Sequence, residues 1–126
     1  MKKYFWLVCS FVWAGLIVYF SFSSPNSIGV EPWFKNQDKL GHFIFYAILS
    51  MLLIKTFSQE TLIQSPIKRG ALTSFFFGVL IEIGQHFFTC DREGDYKDAL
   101  VNGLGILLIV ILIKNFPKYF RFKSIV

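Results

Sequence analysis

Residues 70–90 read GALTSFFFGVLIEIGQHFFTC, twenty-one residues in which Glu82 is the only formal charge. A helix rises about 1.5 Å per residue, so this run covers a hydrocarbon core of about 30 Å. The reading is a spanning helix with one carboxylate inside it. Outward from it the same pattern recurs. Residues 4–22 carry no charge over nineteen positions, and residues 40–54 and 99–113 are uncharged runs of fifteen. The shorter runs are flanked by Lys39, Lys55 and Lys114, whose stems lie along apolar surface while the ammonium reaches the interface. Helices are expected at about 4–22, 40–57, 70–88 and 98–116. Residues 23–39, 56–69 and 91–98 are rich in Pro, Gly, Ser, Asn or charge and read as loops. The fold class is an all-α membrane protein, a four-transmembrane-helix bundle in a single domain over 1–126. Lys2 and Lys3 before the first run resemble a signal peptide, but residues 21–25 lack a small-x-small cleavage pattern, so that helix is expected to stay as an anchor.

Composition excludes the main alternatives. Of 126 residues, 54% are hydrophobic and 16 are Phe, above the roughly 45–50% apolar share of soluble domains. A small globule has too little interior to hide that surface, and disordered chains are poor in aromatics. The net charge of +5 does not indicate nucleic acid, because the basic residues flank apolar runs rather than cluster on one folded face. Lys2, Lys3, Lys55, Lys68, Arg69, Lys114, Lys118, Arg121 and Lys123 fall on one side, against Lys35, Lys39, Arg92 and Lys97 on the other. This asymmetry places both termini in the cytoplasm. The tail, with Phe116, Tyr119, Phe120 and Phe122 among its basic residues, reads as a stop-transfer flank at anionic headgroups. Trp6, Trp13 and Trp33 read as interfacial or lipid-facing aromatics.

Ionisable groups inside a spanning helix cost a few kcal/mol and are functional candidates by default. Counted from the ends of their runs, Glu82, Tyr46 and Asn102 lie at a similar depth, about 6–9 Å in from one membrane face. Asp38, His42 and Tyr46 recur at i, i+4 and i+8, Asp98, Asn102 and Gly105 at i, i+4 and i+7, and Gln85 and His86 follow Glu82 by three and four positions. Each helix thus has one polar stripe. Arg92 in the intervening loop has a planar guanidinium suited to a carboxylate or phosphate. The plainer account is a buried hydrogen-bond and ion-pair network that specifies packing and binds nothing. Cys9 and Cys90 are isolated thiols, and Glu82, His86 and a nearby Asp do not form a recognised carboxylate-bridged spacing. Neither a metal nor a cofactor is expected. Phosphate-loop, nucleophile-elbow and His-Glu-x-x-His motifs are absent.

These polar positions resemble the signatures of the VanZ-like family of small multi-pass membrane proteins, named for a factor associated with teicoplanin resistance. Asp-Lys-x-x-His-x-x-x-Tyr is met by Asp38, Lys39, His42 and Tyr46. Glu-x-x-Gln, an aromatic and an Arg are met by Glu82, Gln85, Phe87 or Phe88, and Arg92. Asp-x-x-x-Asn-x-x-Gly is met by Asp98, Asn102 and Gly105. The family often has a Pro-Gly-Arg-like turn where this chain has Thr89-Cys90-Asp91-Arg92. The resemblance implies a multi-pass protein of the cell envelope, in a bacterial cytoplasmic membrane, and a relative of glycopeptide-resistance factors.

Three activities fit these residues. In the first, Asp38, Lys39, His42, Tyr46, Glu82, Gln85, Arg92, Asp98 and Asn102 line an outer-leaflet pocket for an anionic or lipid-linked cell-wall intermediate or a lipophilic antibiotic such as a lipoglycopeptide. In the second, an intramembrane enzyme acts on a lipid phosphate or ester, with His42, Glu82 and Asp98 catalytic and Arg92 holding the phosphate. The third is a small proton-coupled transporter, for which four helices leave little room. Membrane lipids are the expected partners and nucleic acid is not. The topology is tested by reporter fusions at Gln64 and Glu93, expected on opposite sides of the membrane; the same side for both would refute four spans.

Overall fold

The computed structural model describes residues 2–22, 37–59, 64–88 and 96–120, and all regular structure in them is helical. The helices are α1 (Lys2–Phe22), α2 (Gln37–Ser58), α3 (Pro66–Phe88), α4 (Tyr96–Asn115) and the one-turn α5 (Pro117–Phe120). Four are long and apolar enough to cross a membrane. All four begin before their uncharged runs do. Nothing in Gln37-Asp38-Lys39, Lys68-Arg69 or Tyr96-Lys97-Asp98 opposes helix, and Pro66 suits a first helical position because its missing N–H has no intrahelical partner there. Thus α2 and α4 are 22 and 20 residues long despite their fifteen-residue apolar stretches. Pro117 ends α4 two residues on.

The chain runs up and down, so α2 and α4 are parallel. Helix α2 is central: it packs against α1, α3 and α4, whereas α1 touches α3 only slightly and α4 not at all. The starts of α1 and α3 and the ends of α2 and α4 share one end of the bundle. There Lys55 Nζ lies 4.1 Å from the Trp6 ring centroid, and a cleft of about 630 Å³ includes Lys68 and Lys114 in its walls. Most of the surface is apolar. Only 17–33% of each span is buried, and Phe11, Phe76, Leu80 and Phe87 are exposed. Lipid is the solvent that such a surface fits.

With no water to drive apolar faces together, spanning helices associate by close backbone approach at small residues and by polar contacts. Gly105 of α4 lies against the carbonyl oxygen of Phe43, and a Cβ there would also meet Ala47 N at 3.4 Å. At Gly70 of α3 a Cβ would fall 2.8 Å from the backbone nitrogen of Ile54. Gly105, read from sequence as part of a polar stripe, is therefore a helix crossing point. Trp13 corrects the lipid-facing reading as well. Its indole Nε1 donates to Phe45 O at 2.9 Å, and its ring packs edge-on against Phe45, joining α1 to α2. Trp33 lies outside the described residues.

Below these contacts sits a small core of Ile17, Tyr46, Leu49 and Ile106. Gly105→Ala should force α2 and α4 apart and cost about 1–3 kcal/mol, as overpacking does. Gly15, with nothing within 4 Å of an added Cβ, should tolerate Ala without loss. Thermal unfolding of the two variants in detergent checks the contrast.

Candidate functional site

At the end opposite the Lys55 and Lys114 contacts, polar side chains from α2, α3 and α4 meet. Asp98 stands in the first turn of α4, where the helix dipole favours a carboxylate. Its Oδ1 accepts from Lys39 Nζ at 2.9 Å, and its Oδ2 lies 3.8 Å from His42 Nε2. Lys39 and His42 are neighbours in the first two turns of α2, so Asp98 closes the α2–α4 seam at its mouth. Glu82 enters from α3: one donor atom each from His42, Glu82 and Asp98 lie within 4.8 Å of one another. Glu82 and Asp98 are each 8% exposed, which places two carboxylates in a layer where water is scarce.

One turn deeper lies a second polar tier. A Cβ at Gly78 would meet Asn102 Nδ2 at 2.9 Å and the Tyr46 ring at 3.0 Å. Gly78 thus leaves the space into which α2 and α4 project Tyr46 and Asn102. Glu82 sits with His42 and Asp98, and Tyr46 and Asn102 meet over Gly78, one helical turn from Glu82 on α3. Tyr46 and Asn102 are each 1% exposed, and the Tyr46 hydroxyl and both amide atoms of Asn102 have no hydrogen-bond partner among the described residues.

Not every stripe residue faces this cluster in the same way. Gln85 turns toward α1, where its Nε2 donates to Ser21 O at 2.8 Å. A ring edge from Phe22 fills the space beside the neighbouring Gly84. Gln85 therefore anchors the C-terminal end of α1, a helix that otherwise relies mainly on α2. Arg92 and the side chain of Asp38 lie outside the described residues. Gly78 was missed in the sequence reading, although Gly70, Ser74 and Gly78 recur every four residues and lead straight to Glu82, the small-residue spacing that marks a close helix contact.

Beside the cluster a groove of about 300 Å³ runs between α3 and α4. Its walls include Val79, Ile83, Phe87 and Ala99, and it reaches Glu82. The groove is a lateral, largely apolar surface between α3 and α4 whose lining includes one buried carboxylate, Glu82, with His86 and Tyr96 beside it. The larger cleft at the other end has two lysines and no carboxylate or imidazole in its lining.

Comparison with known proteins gives one positive finding. The VanZ/LLP1 family model matches residues 5–117. Neither a curated protein nor a solved structure matches the chain. The match runs from α1 to the start of α5 and takes in every polar position described above, and the chain belongs to the VanZ/LLP1 family of membrane proteins.

Proposed function

We propose that this protein binds an anionic, lipid-linked component of the cell envelope from within the outer leaflet of the bacterial cytoplasmic membrane, with both termini cytoplasmic. The observation that carries the reading is the α3–α4 groove: its apolar walls suit an acyl or isoprenoid chain, and its inner end meets Glu82. Such a groove pairs hydrophobic lining with a few convergent polar groups, as binding sites do. Two helix N-termini, those of α2 and α4, and Lys39 stand at the same end and favour a negative headgroup. Arg92, four residues before α4, would supply a bidentate donor to that headgroup. The end of the bundle carrying Lys55, Lys68 and Lys114 then faces the cytoplasm, in keeping with the positive-inside rule.

One observation favours a second reading. His42 and Asp98 face each other at 3.8 Å, a separation that tightens to a hydrogen bond with a small side-chain shift, and a carboxylate so placed would orient a general-base imidazole. On that reading the headgroup phosphate or an ester is cleaved.

Native mass spectrometry of the detergent-purified chain, incubated with an isoprenyl phosphate, tests both. Binding is expected to appear as an intact adduct of unchanged ligand mass, weakened in Ala99→Phe, which fills the groove. Product formation lost in His42→Ala would replace binding by catalysis, and no retention at all would remove both. Arg92→Ala adds a second check. If Arg92 meets the ligand, its loss weakens retention and leaves thermal stability near that of the parent. Destabilisation of about 3–5 kcal/mol, the cost of stranding a buried charge, rescued in the Glu82→Gln/Arg92→Ala double variant, would instead make Arg92 a packing residue.

A further inference from the structure

We propose that His42, Glu82 and Asp98 form a site for one divalent transition-metal ion of the Zn²⁺ or Mn²⁺ class. The sequence argued against a metal because no single helix carries a ligand spacing. The structure draws the donors from three helices instead: His42 from α2, Glu82 from α3 and Asp98 from α4, with one donor atom from each inside a 4.8 Å circle.

The spacing of the donors suits shared ligation. Donors about 2.0–2.2 Å from a tetrahedral ion stand about 3.4 Å from each other. His42 Nε2 and Asp98 Oδ2 are 3.8 Å apart, too far for the 2.7–3.2 Å of a good hydrogen bond and a small side-chain shift from joint ligation. Asp98 has an oxygen for each partner: Oδ1 is held by Lys39, and Oδ2 turns to the imidazole. Such a carboxylate, fixed on its far side, is what orients a metal ligand in known sites. The donor set of one imidazole and two carboxylates selects Zn²⁺ or Mn²⁺ over softer ions that need thiolate.

The tier beneath the donors is an independent observation. Asn102, 1% exposed and one turn beyond Asp98 on the same helix, has neither amide atom hydrogen-bonded among the described residues, and the equally buried Tyr46 hydroxyl is in the same condition. A buried donor and acceptor left so carry the full penalty of desolvation, and native interiors fill such positions with protein or ordered water. Water on an ion with three protein ligands is the partner those atoms fit: it completes the coordination shell and hydrogen-bonds outward to the amide and the phenol. The site goes beyond the binding reading above, since the ion is held by protein groups whether or not a lipid is present.

The test uses the full chain in detergent, stripped with a chelator and titrated with Zn²⁺ alone by calorimetry, with elemental analysis for stoichiometry. One ion per chain is expected, together with a rise in Tm. Glu82→Gln and Asp98→Asn should each abolish binding, and Asn102→Ala should weaken it by about tenfold, the lower bound for an outer-shell partner. Cys9→Ser and His86→Ala should leave stoichiometry unchanged. X-ray absorption of the wild-type complex should show nitrogen and oxygen donors with no sulfur, a readout that does not depend on any variant folding. Absence of stoichiometric Zn²⁺, retention in both carboxylate variants, or sulfur ligation would overturn the site. Retention of isoprenyl phosphate by the stripped protein is a separate measurement and stands or falls independently.

Discussion

The backbone crossing of α2 and α4 at Gly105 and Phe43 is the constraint on which the other contacts depend. Nothing larger than hydrogen fits between the Gly105 Cα and the Phe43 carbonyl oxygen. Two parallel helices so close have little freedom to slide, and their relative height fixes everything above the crossing. Asp98 stands two turns up α4 from Gly105, and His42 and Lys39 stand one and four residues up α2 from Phe43. The crossing therefore delivers Asp98 to Lys39 at 2.9 Å. The third helix is set by the same means, with Gly70 against Ile54 and Gly78 beneath Tyr46 and Asn102, so that Glu82 arrives one turn above Gly78. In lipid, where apolar faces gain little by meeting one another, such steric seats do what a hydrophobic core does in water.

The bundle satisfies its small polar groups locally. Ser10 donates to Trp6 O, Ser50 to Ala47 O, Thr56 to Leu52 O and Ser74 to Gly70 O, all at 2.8–2.9 Å and all within one turn of their own helix. Ser10 and Thr56 also meet across the α1–α2 seam at 3.1 Å. These hydroxyls need nothing from outside. Tyr46 and Asn102 differ: their polar atoms point away from their own backbones into the space between helices, and they adjoin the place where two carboxylates and an imidazole converge. Among the described residues, these buried hydroxyls close on their own helices, whereas the Asn102 amide and the Tyr46 phenol lie without a hydrogen-bond partner next to the convergence of His42, Glu82 and Asp98.

The fold was largely legible in advance because uncharged run length is a one-dimensional property. Residues 4–22 and 70–88 carried the length of a span outright, and the fifteen-residue runs needed only their lysine-flanked ends to become α2 and α4. Polar stripes were legible for the same reason, since i and i+4 share a face on any helix, and His42, Glu82 and Asp98 were found that way. What could not be read was how the helices sit against each other. Rotation between helices leaves no mark on periodicity, so Gln85 was grouped with Glu82 although it turns to Ser21. Trp13 was assigned to lipid because aromatics near an interface usually face it, and its bond to Phe45 O required knowing that α1 lies on α2.

Charge raises the remaining question, for an anionic headgroup entering along the α3–α4 groove meets the Glu82 carboxylate at its inner end. Like charges at close range repel by several kcal/mol at an effective dielectric near 20, and Lys39 is already engaged with Asp98. Helix N-termini soften the repulsion by fractions of a charge. A divalent ion held by His42, Glu82 and Asp98 would reverse its sign: a neutral imidazole and two carboxylates would balance the ion's charge, and an anion would be drawn to the site rather than repelled from Glu82. Ion and anion would then bind with positive coupling, each raising the affinity for the other by the same factor, as linkage requires. The same geometry without an ion favours a ligand whose polar group donates hydrogen bonds, such as a sugar or an amide. On the proposed reading, the chemistry of the headgroup that would fit this site thus turns on whether its two carboxylates are bridged.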